Sequence, residues 1–376
     1  MENYELKKDI LYNQLKGDIL SGRYQASSKL PKELDFAKKL GVAKVTLRSA
    51  LERLEAEYLL VRIPSKGTFV LSEDARRKRH KNNIFIIATH LEHFESPNPY
   101  ILPGVKDAAH ISGYETTLCD WDYIKDLSWQ EISAKLAEAR IKGIILLMEN
   151  FHGKEPIIEK LHKCDIPVVL PHGSEKDHIL TGFASIYVPH KEAWADACGH
   201  LASQGHERTA FLTLKKNNIR GYTLEEHLQL QEKMGFNTDD YLIQETAYED
   251  RAMTGKIVRE WLKQKTPPTA IQCYSDFLAI HVYEELKALG LSTPDDIAVM
   301  GCCGYPGAAF MSPPLSTVDY EYYKLGHKSI ELLSKSDEWF HSAKETPVAV
   351  KPHQLVIRES TSSEKANAGG AKYESN

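Results

Sequence analysis

Residues 30–70 constrain the fold more than any other stretch. Leu30-Pro31-Lys32-Glu33 opens a short helical pattern that stops at Gly41, and a second pattern runs from about Ala43 to Glu57. Within it Leu47, Ala50, Leu51 and Leu54 follow i, i+3, i+4, i+7, so one face must be buried. Two strand-like runs follow, Leu59–Ile63 and Thr68–Leu71, joined by Pro64-Ser65-Lys66-Gly67. Upstream, Leu11, Leu15 and Ile19 predict an amphipathic helix over 7–21 that ends near Gly22. Ser27 or Ser28 is expected to cap the helix carrying Leu34, Phe36, Ala37 and Leu40, with Pro31 in its first turn. Two short helices around a glycine turn, then a basic hairpin, describe a winged helix-turn-helix, a shape suited to duplex DNA.

The face opposite the leucines carries Val45, Arg48, Ser49 and Glu52, with Lys44 and Thr46 at the helix start. Arg48 suits bidentate pairing with a guanine edge and Lys44 suits a phosphate. Arg62 and Lys66 belong to the hairpin tip, where Gly67 lets backbone approach a phosphate. On an arbitrary helix such residues form a solvated face. Here the hairpin and the charge balance favour contact: residues 1–80 hold 17 Lys and Arg against 11 Asp and Glu, and the remainder holds 30 against 41. The expected DNA contacts are Lys32, Lys44, Val45, Thr46, Arg48, Ser49, Arg62, Lys66 and Gly67.

Residues 8–71 resemble the DNA-binding domain of the GntR family. The matching residues are Leu30-Pro31-x-Glu33, Val42, Thr46, Arg48, Ala50-Leu51-x-x-Leu54-Glu55 and Gly67-Thr68-Phe69-Val70. The resemblance implies double-stranded operator DNA as a partner. Three departures imply an operator unlike the family's usual one. Leu34 stands where the family has arginine, Ala43-Lys44-Val45 where it has serine-arginine-threonine, and a serine replaces the glycine before Lys29-Leu30.

Residues 72–83 include Arg76-Arg77-Lys78-Arg79-His80-Lys81 without apolar periodicity, and are expected to be a flexible linker. Beyond it, short apolar runs alternate with helical stretches. Ile84–Thr89, Glu115–Cys119, Gly143–Leu147, Pro167–Leu170 and Ile186–Val188 are expected as buried parallel strands. Thr209–Thr213, Tyr241–Glu245, Ala270–Tyr274 and Ile297–Met300 repeat the pattern. The fold class is α/β, with two doubly wound lobes over 84–360 and ligand expected at the carboxyl ends of the strands. The first lobe should take 84–188 and a helix near 321–335. The second should take 190–317 and a final strand near 354–358. Residues 361–376 are expected to be a disordered tail.

This segment resembles the effector domain of the LacI/GalR family, itself similar to periplasmic sugar-binding proteins. The resemblance rests on Asn98-Pro99-Tyr100, Gly143-Ile144-Ile145-Leu146, Ile166-Pro167-Val168-Val169, His200-Leu201-x-x-x-Gly205-His206, Ser275-Asp276, Pro294-x-Asp296-Ile297 and Pro313-Pro314-Leu315-Ser316-Thr317-Val318. A GntR head on such a body resembles the arabinose-repressor type of chimera. That resemblance implies a homodimer controlled by a small sugar, phosphosugar or uronate. It places effector contacts at Tyr100, Arg220, Tyr248 and Ser275, with His172 and His190 also lining the cleft. Asp276 is expected to cap the following helix as well as border the site. The run Gly301-Cys302-Cys303-Gly304 replaces the family's aspartate pair, leaving Cys303 in the site and less negative charge. An anionic or sparsely hydroxylated effector is therefore expected.

Other classes are disfavoured. His90-x-x-His93 lacks the helix and general-base glutamate of a zinc peptidase, no Cys/His set has zinc spacing, and neither a phosphate loop nor a nucleophile elbow occurs. No enzyme activity, cofactor or metal is expected. No apolar run approaches the roughly 20 residues of a membrane span. The first residues lack an export pattern, and six scattered cysteines suit reduced thiols, so a cytoplasmic location is expected. The rival reading is a solute-binding protein without DNA activity.

Overall fold

The computed structural model describes residues 7–57, 59–63, 66–72, 83–148, 151–215, 222–341 and 346–362. The described residues fall into two compact units, one up to Asn83 with Ala137–Lys142 grouped to it, the other from Ile84 onward. Arg220, the linker's basic run and residues beyond Ser362 lie outside the described residues.

The first unit contains α1 (Lys7–Leu20), α2 (Glu33–Leu40), α3 (Lys44–Ala56), β1 (Leu60–Ile63) and β2 (Gly67–Val70). Leu11, Leu15 and Ile19 of α1 meet Leu47, Ala50, Leu51 and Leu54 of α3 in one core, as the spacing requires. Gly41 closes α2 in the left-handed conformation, φ 64°. The serine cap does not form. Lys32 is the N-cap of α2, without a side-chain bond, and Pro31 precedes it. Ser27 N–H instead donates to Val70 O (2.9 Å), Val70 N–H to Ser28 O (2.9 Å) and Leu30 N–H to Thr68 O (2.8 Å). The segment is used as a third, short rung of the antiparallel β1–β2 wing, which satisfies backbone that a helix start would have left open.

The second unit holds two six-stranded sheets. Its elements run β3 (Asn83–Ala88), α4 (Asn98–Ile111), β4 (Glu115–Asp120), α5 (Trp129–Glu138), β5 (Ile141–Leu147), α6 (Pro156–Lys163), β6 (Val168–Gly173), α7 (Glu175–Thr181) and β7 (Ala184–Tyr187). They continue with α8 (His190–Ser203), β8 (Thr209–Leu214), α9 (Leu224–Lys233), β9 (Ile243–Thr246), α10 (Arg251–Leu262), β10 (Ala270–Cys273), α11 (Asp276–Ala288) and β11 (Ala298–Cys303). Last come β12 (Ser316–Asp319), α12 (Tyr322–Ser334), α13 (Ser336–Trp339), β13 (Val348–Val350) and β14 (Gln354–Val356). The sheet orders are β13-β7-β6-β5-β3-β4 and β14-β12-β11-β10-β8-β9. Paired strands from β8 to β12 are parallel, and only the edge strand β14 runs antiparallel, against β12.

Two expectations change. β4 is not buried: most of its residues face solvent or are half-covered, because it forms a sheet edge with one neighbour. β13, a strand beyond those expected, completes the first sheet beside β7. In the second lobe Thr361 is buried, bonded to His200 Nε2 (2.8 Å) and Ser316 Oγ (2.7 Å), so the packed body includes a residue assigned to the tail.

The helix near 321–335 joins the first lobe through glycine. A Cβ on Gly104 of α4 would stand 2.0 Å from Tyr323 O, and one on Gly326 of α12 would stand 2.5 Å from Ile101 O. Only glycine permits this approach. The chain passes between lobes three times, at 187–190, 319–322 and 350–354. Lys351 N–H donates to Tyr187 O (2.9 Å), and Lys351 also pairs with Glu321, so the three crossings are tied together.

Candidate functional sites

On the head, α3 presents the residues expected to touch DNA. Lys44 and Arg48 are exposed, Thr46 and Ser49 half-buried, and Val45 is 79 % exposed. Its apolar surface stays available for burial against a partner. Leu34 on α2 is also largely exposed. Lys32, Lys66 and Gly67 are exposed, and Gly67 has φ 114°, open to glycine.

The guanidinium groups differ in their surroundings. Arg48 Nη2 lies 3.1 Å from Glu33 Oε2, which orients it while leaving it half in water. Arg62 is not a free tip residue. Its Nε stands 3.3 Å from Glu55, with Glu52 at 3.9 Å and Glu33 at 4.0 Å, and Nη2 donates to Arg48 O at 3.5 Å. Three carboxylates hold it on β1 beside α3. Its place is that of a strut between wing and recognition helix, where the sequence suggested a contact at the loop tip.

In the body, the strand ends of the two lobes converge on a cluster of aromatic rings. His172 ends β6 and His190 opens α8; their rings lie 5.1 Å apart, edge to face. His190 meets Tyr320 at 4.8 Å and His172 meets Tyr322 at 5.5 Å. Tyr100, at the start of α4, packs on Tyr305 at 4.8 Å, and Tyr305 lies 5.6 Å from Tyr322. Tyr305 follows β11 in the second lobe, yet its hydroxyl donates to Glu95 O of the first lobe at 2.7 Å. That bond spans the cleft.

Burial pushes the Tyr100, Tyr320 and Tyr322 hydroxyls up, so each stays a neutral phenol able to donate. Cys303 lies in the same cluster with φ 99°, a strained value for a side-chain-bearing residue. A hydrogen bond with Cys302 and burial raise its thiol well above the usual range, so it stays a neutral thiol. Cys302 Sγ meets Tyr320 OH at 3.1 Å.

Ser275 and Asp276 are both buried and already hydrogen-bonded within the protein. Ser275 is fully buried and is the cap itself: its Oγ accepts from Phe277 N–H at 3.2 Å. Asp276, 3 % exposed, accepts from Tyr305 N–H (2.7 Å) and Thr317 Oγ1 (2.6 Å). Burial outweighs those bonds and pushes its carboxyl up to about 7. A Cβ on Gly301 would lie 2.2 Å from Asp276 Oδ1, so the glycine makes room for this clamp. Tyr248, after β9, packs against the second lobe's core. Tyr305, Tyr320 and Tyr322 belong to no motif in the sequence; the signal they leave there is the density of tyrosine around residues 320–323.

The comparisons with known proteins agree with this architecture. Residues 7–70 match the family of bacterial regulatory proteins called gntR, and residues 198–361 match the periplasmic binding protein-like domain. A gntR-type match thus lies over the winged head and a periplasmic-binding-protein-like match over much of the body. It is 25 % identical over 364 residues to the arabinose metabolism transcriptional repressor of Geobacillus stearothermophilus, covering 93 % of this chain and 97 % of that one. A LacI-family regulatory protein from Chloroflexus aggregans superposes with a TM-score of 0.62 at 20 % identity, over 74 % of this chain and 98 % of that chain. A LacI-family regulator from Enterococcus faecium, solved with bound ribose, gives 0.56 at 21 % identity, over 74 % and 98 %. Among the described residues no helix is long and apolar enough to cross a membrane.

Proposed function

We propose that this chain is a ligand-responsive transcriptional repressor of a carbohydrate-use operon, acting in the cytoplasm as a homodimer. One observation carries the reading: an exposed recognition helix with an oriented Arg48 stands in the same chain as an aromatic, lobe-spanning cleft. The arabinose repressor named above, which matches along nearly its whole length, supports the regulator class. The ribose-bound neighbour supports a sugar-type ligand for this fold.

In this reading Arg48 pairs with a guanine edge, Lys44, Lys32 and Lys66 neutralise phosphates, and Val45 covers a thymine methyl. Two heads read half-sites about one helical turn, or multiples of it, apart. The effector sits among Tyr100, His172, His190 and Tyr305, replacing the Tyr305–Glu95 bond and shifting the lobes. Coupling of about 1–3 kcal/mol suffices to release DNA. Asp276 is fully engaged and Cys302-Cys303 occupies the family's acidic positions, so the cleft offers few carboxylates to grip hydroxyls. A phosphosugar, a uronate or a sparsely hydroxylated sugar fits better than a neutral hexose, with Arg220 as the expected anion partner.

Electrophoretic retardation of upstream DNA, repeated across salt concentrations, tests the head. A salt-sensitive shift is expected, and its absence at low ionic strength overturns the reading in favour of a solute-binding protein. Calorimetry against neutral and acidic sugars tests the cleft. Tight binding of neutral hexoses alone overturns the acidic-ligand assignment.

A further inference from the structure

The loop after β3 carries His90-Leu91-Glu92-His93-Phe94-Glu95, and the repressor reading leaves this cluster without a role. His90 adopts φ 56°, and the turn brings side chains from three nearly consecutive positions together. One donor atom from each of His90, Glu92 and His93 lies within 4.8 Å of the others. We propose that these three residues form a binding site for a divalent transition cation of the zinc type.

Three features distinguish the group from an ordinary exposed cluster. Firstly, its donors are two imidazoles and one carboxylate, the set that suits zinc, nickel or cobalt rather than oxygen-seeking calcium or magnesium. Secondly, His93 Nε2 lies 3.4 Å from Glu92 Oε1. Ligands about 2.0–2.1 Å from a tetrahedral ion stand roughly 3.3–3.4 Å apart, so this pair already spans one edge of the coordination figure. Thirdly, His93 Nδ1 lies 2.9 Å from Glu95 Oε1. A carboxylate on one ring nitrogen fixes the tautomer, aims the other at the ion and raises its basicity.

The His90 and His93 rings stand edge to face at 5.4 Å, so a rotation of the exposed His90 side chain completes a three-donor face. A fourth position remains for water. The spacing differs from that of helical zinc peptidases because the donors converge through a turn instead of a helix face. The expectation of no metal site is revised here for that reason. The loop also supplies the Glu95 carbonyl that accepts from Tyr305, which places the cation at the rim of the cleft.

Tag-free full-length protein, stripped with chelator, should be titrated with Co2+ followed by visible absorption, and with Zn2+ by calorimetry. One cation per chain is expected, with affinity reduced at least about 100-fold in the double variant H90A/H93A and about 10–100-fold in E95Q. H152A removes an exposed histidine that lies 3.2 Å from Glu155 and should change nothing. All altered side chains are outside the core, so circular dichroism should stay that of the wild type. Unbound cobalt in the wild type, or equal binding in H90A/H93A, overturns the proposal.

Discussion

The recognition helix and the cleft solve opposite problems. On α3 the functional groups stand in water, and a carboxylate on α2 holds Arg48 without covering it. In the cleft the corresponding groups are rings, mostly out of water, closed over by a phenol from the opposite lobe. The first surface can attract a polyanion over a distance and must weaken as salt is added. The second presents half-buried and buried groups, whose interactions salt screens far less than those of exposed charges. A single chain can therefore sense with one part and hold DNA with the other, because the two depend on different solvent terms.

Four changes would break or sharpen that contrast. The largest effect should come from Tyr322→Ala, which empties a buried ring at the centre of the cluster. The body is expected to lose about 3–5 kcal/mol, while the head, a separate compact unit, keeps its own melting transition in calorimetry. Next is acidity. Burial raises the folded carboxyl of Asp276 from the ordinary carboxylate range to about 7, so the native state holds its proton longer than the unfolded chain does. Its favourable contribution is complete on the acid side and is lost as pH rises toward 7. The slope is at most about 1.4 kcal/mol per pH unit. Denaturant melts from pH 5 to 8.5 should show this decline in the wild type, and Asp276→Asn should flatten it.

Arg48→Ala follows, with operator affinity expected to fall by about 1–3 kcal/mol and effector binding unchanged. Retardation assays and calorimetry on the same preparation separate the two. Smallest is Val45→Ser, expected to cost well under about 1 kcal/mol in stability, since surface changes are usually near neutral. It should weaken DNA binding a few-fold, and only on operators with thymine beneath it. A comparison of methylated and unmethylated pyrimidine at that step would check it.

How much of this was readable beforehand depended on whether the cause was local. The pattern Leu47, Ala50, Leu51, Leu54 sufficed for α3, and apolar runs sufficed for most strands, because burial leaves a period in the sequence. Ser27 and Ser28 misled, since their backbone was claimed by Val70, more than 40 positions away. β4 misled because an edge strand and a central one share composition but not neighbours. The cleft was half legible. His172 and His190 came from position in a pattern, whereas Tyr305, Tyr320 and Tyr322 come together only where the chain crosses between lobes. Arg62 shows the same limit: its charge was plain, its three acidic partners were not.

The placement of the last two strands has a practical consequence. Val350 ends a strand of one sheet and Gln354 begins a strand of the other. Any stop codon that strips all of β14 from the second lobe leaves β13 in the first only if it falls within residues 351–354. One placed earlier than β13 injures both. Neither lobe can be expressed as an uninterrupted fragment, so excising one for separate study would require circular permutation or a spliced gene.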